Sequence, residues 1–313
     1  MTRVLSEVYP YTVNGMKRFC LNRFLRIYPT YYAILLLNIA CIYYIPPAIV
    51  NVSTSTHMPI TLGEWVANLS IFGITQWYAA GTHTLMSTRL VNNVWSLNIE
   101  LWFYIILSLF GAMRRLNFVI LWVIIGVLQV GYSLYHGYDF QDRYSPITAG
   151  ILPFGVGSLL YYLVKRWPCP KTWNIILCCF AISAWGVLPF IYKTHPLRAE
   201  AEGLYISLII SAVIIYCLAN FQSKCYPRWA MTDKWLGNLS YSIFLCHFTA
   251  GIIMKWIFPS ALDQTDGSLF LAALPLIHLM AWLLYIAIQY PLEHLRKLIH
   301  DNRSFKQLSS KDI

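Results

Sequence analysis

Residues Val94–Tyr104 read VWSLNIELWFY and place one carboxylate inside an apolar run. From Val94 to Met113, Glu100 is the sole charge over twenty residues. At about 1.5 Å rise per residue, that is enough to cross a hydrocarbon core of about 30 Å. The run therefore predicts a membrane-spanning helix with Glu100 inside the bilayer. A central acidic group costs roughly 2.5–3.5 kcal/mol on insertion scales, so a functional site is the first reading. A buried ion pair that merely pins two helices is the plainer one. Three- and four-residue steps put Asn93, Ser96, Glu100, Tyr104 and Ser108 on one helix face as a polar stripe. Trp102, Phe103 and Ile106 face elsewhere.

The rest of the chain agrees with a membrane setting. Its 313 residues are 58% hydrophobic and 12% charged, with a mean hydropathy of +0.54, too apolar for a soluble globule. Eight runs are nearly free of charge: about 30–49, 94–113, 117–134, 146–164, 172–192, 203–221, 239–259 and 268–290. Backbone groups in lipid must be satisfied within a segment, so each run predicts a helix. The fold class is all-α, a polytopic bundle of about eight transmembrane helices. One domain is expected over 1–300, followed by a cytoplasmic tail at 301–313.

A net charge of +10 would suggest nucleic acid in a soluble protein, but its distribution reports topology instead. With the N-terminus cytoplasmic, the cytoplasmic segments carry Arg3, Lys17, Arg18, Arg23 and Arg26, then Arg114 and Arg115, then Lys165, Arg166 and Lys171. Lys224, Arg228 and Lys234 follow, and the last segment adds Arg296, Lys297, Arg303, Lys306 and Lys311. The other side keeps Arg89, Arg143, Lys193 and Arg198, with Lys255 near a helix end, so the positive-inside rule places both termini in the cytoplasm. No nucleic-acid partner is expected. Residues 60–78 are moderately apolar but carry Glu64, Asn68 and Gln76; a ninth span there would invert every later loop. They are read as an interfacial or re-entrant helix within an outer loop from about Val50 to Asn93. The eight cysteines avoid the outer loops and show no zinc or redox spacing, so neither a disulfide framework nor a metal site is expected.

Four stretches resemble the acyltransferase-3 family of integral membrane O-acyltransferases that modify extracytoplasmic glycans. FCLNRFLRIYPTYY (Phe19–Tyr32) is similar to the family's Arg-rich segment. VWSLNIELWFY matches its most specific signature at Trp95, Ser96, Leu97, Glu100, Phe103 and Tyr104. ILPFGVGSLLY resembles its Pro-Phe-x-x-Gly element at Pro153, Phe154 and Gly157. LGNLSYSIFLCHF resembles the start of a late helix that reaches a histidine, here His247. The family's first helix carries an Arg followed eleven positions later by its catalytic His. No stretch here matches that helix, so the resemblance leads us to expect an N-terminally incomplete member, eight spans where the family has ten.

The resemblance implies transfer of an acyl group, most simply acetyl, from cytoplasmic acyl-CoA to a hydroxyl of an extracytoplasmic polysaccharide. Acyl-CoA would be a substrate, with no bound cofactor. Such chemistry needs a base, a cradle for the donor's phosphates and donors for the developing oxyanion. Glu100 and His247 are the candidate catalytic groups. His247 lies about 12 Å from the cytoplasmic end of its span, near mid-membrane. For His247 and for His278 a hydrogen bond to a neighbouring helix is the plainer alternative. Arg23 and Arg26, three apart on one face, would hold donor phosphates, or else anchor the chain at anionic lipid headgroups. Trp95, Ser96, Tyr104 and Tyr241 are expected to line the cavity or the acceptor. Trp65, Trp77, Tyr78 and His83 could stack on sugar rings, or sit as interfacial anchors. Pro153, Gly155 and Gly157 are expected to permit close helix packing. A bacterial inner membrane is the expected location, with membrane lipid, and homo-oligomers or glycan-assembly proteins, as partners. An inactive homologue and a glycan or lipid transporter remain the rival readings.

Overall fold

The computed structural model describes residues 2–9, 11–50, 56–76, 88–110, 115–194, 202–220, 227–259 and 267–300. Among them the regular structure is helical. Each of the eight apolar runs is mainly helical over its described residues. Among the described residues six helices are long and apolar enough to cross a membrane by length and composition. The apolar helices at Val94–Ser108 and Leu204–Asn220 are shorter there, so six full-length candidate spans stand among the described residues where the sequence suggested about eight. The chain is an integral, multi-pass, all-α membrane protein.

The described residues gather into two compact units. The first takes those of Met1–Tyr11, Gln76–Thr84 and Ile99–Pro227; the second takes those of Thr12–Thr75, Leu85–Asn98 and Arg228–Ile313.

The second unit begins, after the short α1 (Thr2–Glu7) of the first, with α2 (Val13–Tyr44). Its start is set by Thr12, whose side chain accepts from the Gly15 N–H at 3.1 Å and satisfies one of the first turn's orphan donors. The basic segment and the span are thus one helix, and Pro29 lies inside it, not at a helix start. A proline there supplies no N–H to the carbonyl one turn earlier. The end is dictated by Pro46 and Pro47, since the residue before a proline disfavours the helical region. Ile45 is accordingly extended (φ −99°, ψ 136°), and Pro47 opens α3 (Pro47–Val50). Cys41, Ile45 and Val50 close this corner against Ile252.

The stretch 60–78 yields α4 (Leu62–Ser70), nine residues long and far short of a span. Its N-terminus is a capping box: Thr61 accepts from the Glu64 N–H while the Glu64 carboxylate accepts from the Thr61 N–H. Its C-terminus stops at Ile71, a β-branched residue held at φ 70°.

In the first unit α6 (Leu116–Tyr135) lies against α8 (Ile151–Arg166), and α9 (Lys171–Thr194) and α10 (Leu204–Asn220) lie beside each other. Between α6 and α8 the chain makes α7 (Phe140–Tyr144) and a 3-10 turn at Ile147–Gly150. Close approach is permitted by glycine. A Cβ on Gly126 would lie 2.8 Å from the Leu152 Cα, and one on Gly155 would lie 3.1 Å from Trp122. Gly157 differs from expectation: nothing lies within 4 Å of its would-be Cβ, so it serves no close contact. Polar clamps complete the unit. Trp122 Nε1 donates to the Ile151 carbonyl at 3.0 Å, and Asn174 Nδ2 to the Cys217 carbonyl at 2.9 Å.

Candidate functional site

The signature stretch folds as α5 (Val94–Phe110), whose first residues belong to the second unit and whose remainder belongs to the first. Its apolar flank is decided by Phe103, which is 1% exposed. Phe103 stacks on Phe154 of α8 with ring centroids 4.2 Å apart and meets Trp122 edge-on at 6.0 Å. That contact joins two of the recognised stretches, and it fits because Gly150 has no side chain. A Cβ there would lie 2.6 Å from Phe103 and 2.7 Å from Ile99. On the polar stripe Asn93, Tyr104 and Ser108 are buried, while Ser96 and Glu100 are half-buried. Ser96 and Ser108 return their hydroxyls to the carbonyls of Asn93 and Ile105 three residues back, so neither extends the stripe's reach. Trp95 is half-buried beside them. Asn98, on neither flank in the expectation, is fully buried and its amide has no hydrogen-bond partner in the structure.

The second unit holds a buried polar centre that the sequence did not disclose. Asn38 of α2 donates from Nδ2 to the Leu90 carbonyl at 2.8 Å and accepts at Oδ1 from Thr249 Oγ1 at 2.7 Å. Thr249 lies on α11 (Pro227–Ile257), a helix that starts twelve residues before the apolar run at 239. The late family stretch is therefore in mid-helix, not at a helix start. Tyr241 of the same helix donates its hydroxyl to the Ile27 carbonyl at 2.9 Å. The two bonds fall in the same order along both helices, so α11 runs parallel to α2, with His247 between their levels. Tyr241 thereby fastens α11 to the turn that follows Arg26.

His247 is half-buried, and its Nδ1 lies 2.7 Å from the Phe244 carbonyl oxygen. A carbonyl only accepts, so Nδ1 is the donor in this bond. The same carbonyl receives Asn93 Nδ2. His278 makes the same kind of bond to the Leu274 carbonyl on α12 (Ser268–Leu284), but it is exposed and reaches no other helix by it.

The tyrosines of the Arg-rich stretch explain how α4 is held. Tyr28, Tyr31 and Tyr32 donate to the carbonyls of Ser70, Asn68 and Leu69, the last-turn acceptors that α4 leaves open. Asn68 in turn donates to the Thr88 carbonyl and accepts from the Leu90 N–H. Measured along α2, the α4 terminus meets it twelve or more residues from Tyr44, about 18 Å. The last-turn carbonyls of α4 are thus covered by protein hydroxyls of α2.

Glu64 and its neighbours form a second polar cluster. The Thr61 and Ile60 N–H groups hold the Glu64 carboxyl below its ordinary range. Thr88 Oγ1 donates to it at 3.0 Å and lies 3.3 Å from a ring nitrogen of His57. Burial lowers the pKa of Arg89. Trp65 is half-buried on α4, while Trp77, Tyr78 and His83 fall outside the described residues.

Of the basic residues, Arg18 is buried and donates from Nε to the Ile299 carbonyl at 2.9 Å, which caps α13 (Tyr290–His300). Arg296 of α13 answers with a bond to Asn22 at 2.9 Å. Arg23 and Arg26 are half-buried; the Arg23 guanidinium lies 5.4 Å from the centroid of the Phe19 ring. The two groups of candidates divide accordingly. Arg23, Arg26, Tyr241, His247, Trp95 and Ser96 all lie within the second unit, and Glu100 and Tyr104 within the first.

Comparison with known proteins gives the same direction as these residues. An uncharacterized protein of Aquifex aeolicus (strain VF5) is 23% identical over 207 residues, covering 64% of this chain and 87% of that one. No solved structure matches at a significant level. The sequence model of the acyltransferase-3 family, described as an acyltransferase domain, matches residues 4–286, a range that contains the four stretches that carry the resemblance; the chain belongs to that family.

Proposed function

We propose that this chain is a membrane O-acyltransferase that moves an acetyl group from cytoplasmic acetyl-CoA to a hydroxyl of an extracytoplasmic glycan. Membership of the family supports acyl transfer, and the observation that carries the finer reading is the state of His247. A half-buried histidine whose Nδ1–H is fixed on the Phe244 carbonyl presents Nε2 as a general base for an acceptor hydroxyl. Arg23 and Arg26 lie on one face of α2 and hold donor phosphates by charge-assisted bonds. Glu100 binds acceptor hydroxyls. In the transfer the acceptor oxygen attacks the thioester carbonyl, the base takes its proton, and the coenzyme A thiolate leaves. The protein resides in a bacterial inner membrane with both described ends of the bundle cytoplasmic.

The test is transfer of labelled acetyl from acetyl-CoA to glycan by the purified protein in vesicles. Glu100→Gln is expected to abolish transfer with expression and melting temperature intact. Loss of expression alone would assign Glu100 to a structural ion pair. Movement of glycan without any donor would favour a transporter.

A further inference from the structure

The first unit contains two adjoining cavities that the acyl-transfer reading does not use. One, of about 250 Å³, has Gln129, Ser133, Arg143, Ser207 and Ser211 among its lining residues. Among the described residues lining the two cavities, Arg143 is the only one with a full charge. Its Nε donates to the carbonyls of Tyr138 at 3.0 Å and Asp139 at 3.2 Å, which fixes the guanidinium. The nearby Asp139 carboxylate caps α7 by accepting from the Asp142 N–H at 2.8 Å, and neither aspartate lines the cavity.

The second cavity, of about 560 Å³, is apolar and is walled by α6, α8 and α10 with Leu177 of α9. It shares Leu152, Tyr205 and Leu208 with the first. Along α8 it extends from Leu152 to Trp167. Fifteen residues at helical rise make this about 22 Å, roughly two thirds of a hydrocarbon core of about 30 Å. A cation with hydroxyls and an amide in one cavity, and a long apolar trench running from it, match one ligand chemistry.

We propose that the two cavities are a single binding site for a membrane lipid with an anionic phosphate headgroup, the headgroup at Arg143 and one chain along α8 as far as Trp167. A guanidinium with neighbouring hydroxyls recognises phosphate oxygens, and the trench shields the chain on three sides. The proposal does not depend on the acyltransferase reading, because its readout is binding.

The probe is phosphatidylglycerol against phosphatidylcholine of the same chains, added to delipidated full-length protein in neutral detergent and counted as retained adducts by native mass spectrometry. Phosphatidylglycerol should be retained about tenfold better, the size expected for one charge-assisted contact. Arg143→Gln should remove that preference while leaving phosphatidylcholine retention unchanged. Leu208→Trp, or Val213→Phe where the first fails to fold, should reduce retention of both lipids. Equal retention of the two lipids by the unaltered protein would overturn the proposal. So would adducts indifferent to all these variants, or displacement of the lipid by excess glycerol 3-phosphate, which would mean a water-soluble phosphate ligand.

Discussion

Asn93 and His247 donate to one acceptor, the carbonyl oxygen of Phe244. The first residue of the polar stripe is thereby tied to the imidazole proposed as the base. The two bonds have separable consequences. His247→Gln removes the base and should lower acetyl transfer by about 10²–10⁴-fold with little change in melting temperature. Asn93→Ala leaves the imidazole bonded as before and should cost about 1 kcal/mol of stability with transfer largely retained. Kinetics and thermal unfolding measured on both variants check the separation; equal loss of activity in the two would contradict it.

Arg18 and Arg26 are eight residues apart on one helix and should behave differently. Arg18 is committed to the Ile299 carbonyl, so Arg18→Ala should lower stability by about 1–3 kcal/mol without changing the KM for acetyl-CoA. Arg26→Glu should raise that KM at least tenfold with the melting temperature unchanged. A donor titration at saturating acceptor measures both.

Glycine substitutions on the first unit should have opposite signs. A Cβ at Gly126 would meet the Leu152 backbone, which cannot swing aside, so Gly126→Ala should destabilise by about 1–3 kcal/mol. Gly157→Ala meets nothing and gains helix propensity, so it should be neutral or stabilise by up to about 1 kcal/mol. Detergent melts of the two variants decide.

Tyr31→Phe deletes the hydroxyl that closes the Asn68 carbonyl at the end of α4. The acceptor is buried, so its loss should cost about 1–3 kcal/mol and speed hydrogen exchange of the 62–70 amides. Exchange unchanged from the parent protein would show that α4 is held by other means.

Glu64 gives α4 a pH dependence. Its carboxyl is held low by the Thr61 and Ile60 N–H groups, so the stability it adds is complete above the ordinary carboxylate value and is lost as pH falls through the lowered one. Trp65, the next residue, should report loosening of α4 by fluorescence on titration from about pH 7 to about pH 3, and Glu64→Gln should flatten that curve.

The spans were legible because apolar length is a local property. All eight runs are mainly helical over their described residues, and the Glu64-bearing stretch makes only the nine-residue α4. What escaped depends on partners distant in sequence. The position of α4 rests on hydroxyls of Tyr28, Tyr31 and Tyr32, about forty residues from the carbonyls they cover. The role of Asn38 is set by Thr249 and the Leu90 carbonyl, both far along the chain. Gly126 carried no motif, since its role is set by where α8 passes. The N-terminal extension of α2 has a local signal in Thr12, three residues before Gly15. Of the site residues, Tyr241 and His247 were named for a motif and received their partners only in three dimensions.

The last long helix changes pitch at Tyr285–Gln289, where the chain makes a π-turn between α12 and α13. A π-turn accommodates one residue more than an α-turn, and each residue of an α-helix turns the chain by about 100°. That surplus residue decides which side of α13 faces α2, and hence whether Arg296 finds Asn22 and the Ile299 carbonyl finds Arg18. Gln289, within the turn, is pinned to Ser242 at 2.8 Å, so the extra residue is fixed in place. Deleting one residue here would leave the apolar span intact and yet swing the helix beyond it by more than a quarter of a revolution, uncoupling the end of the bundle from its beginning.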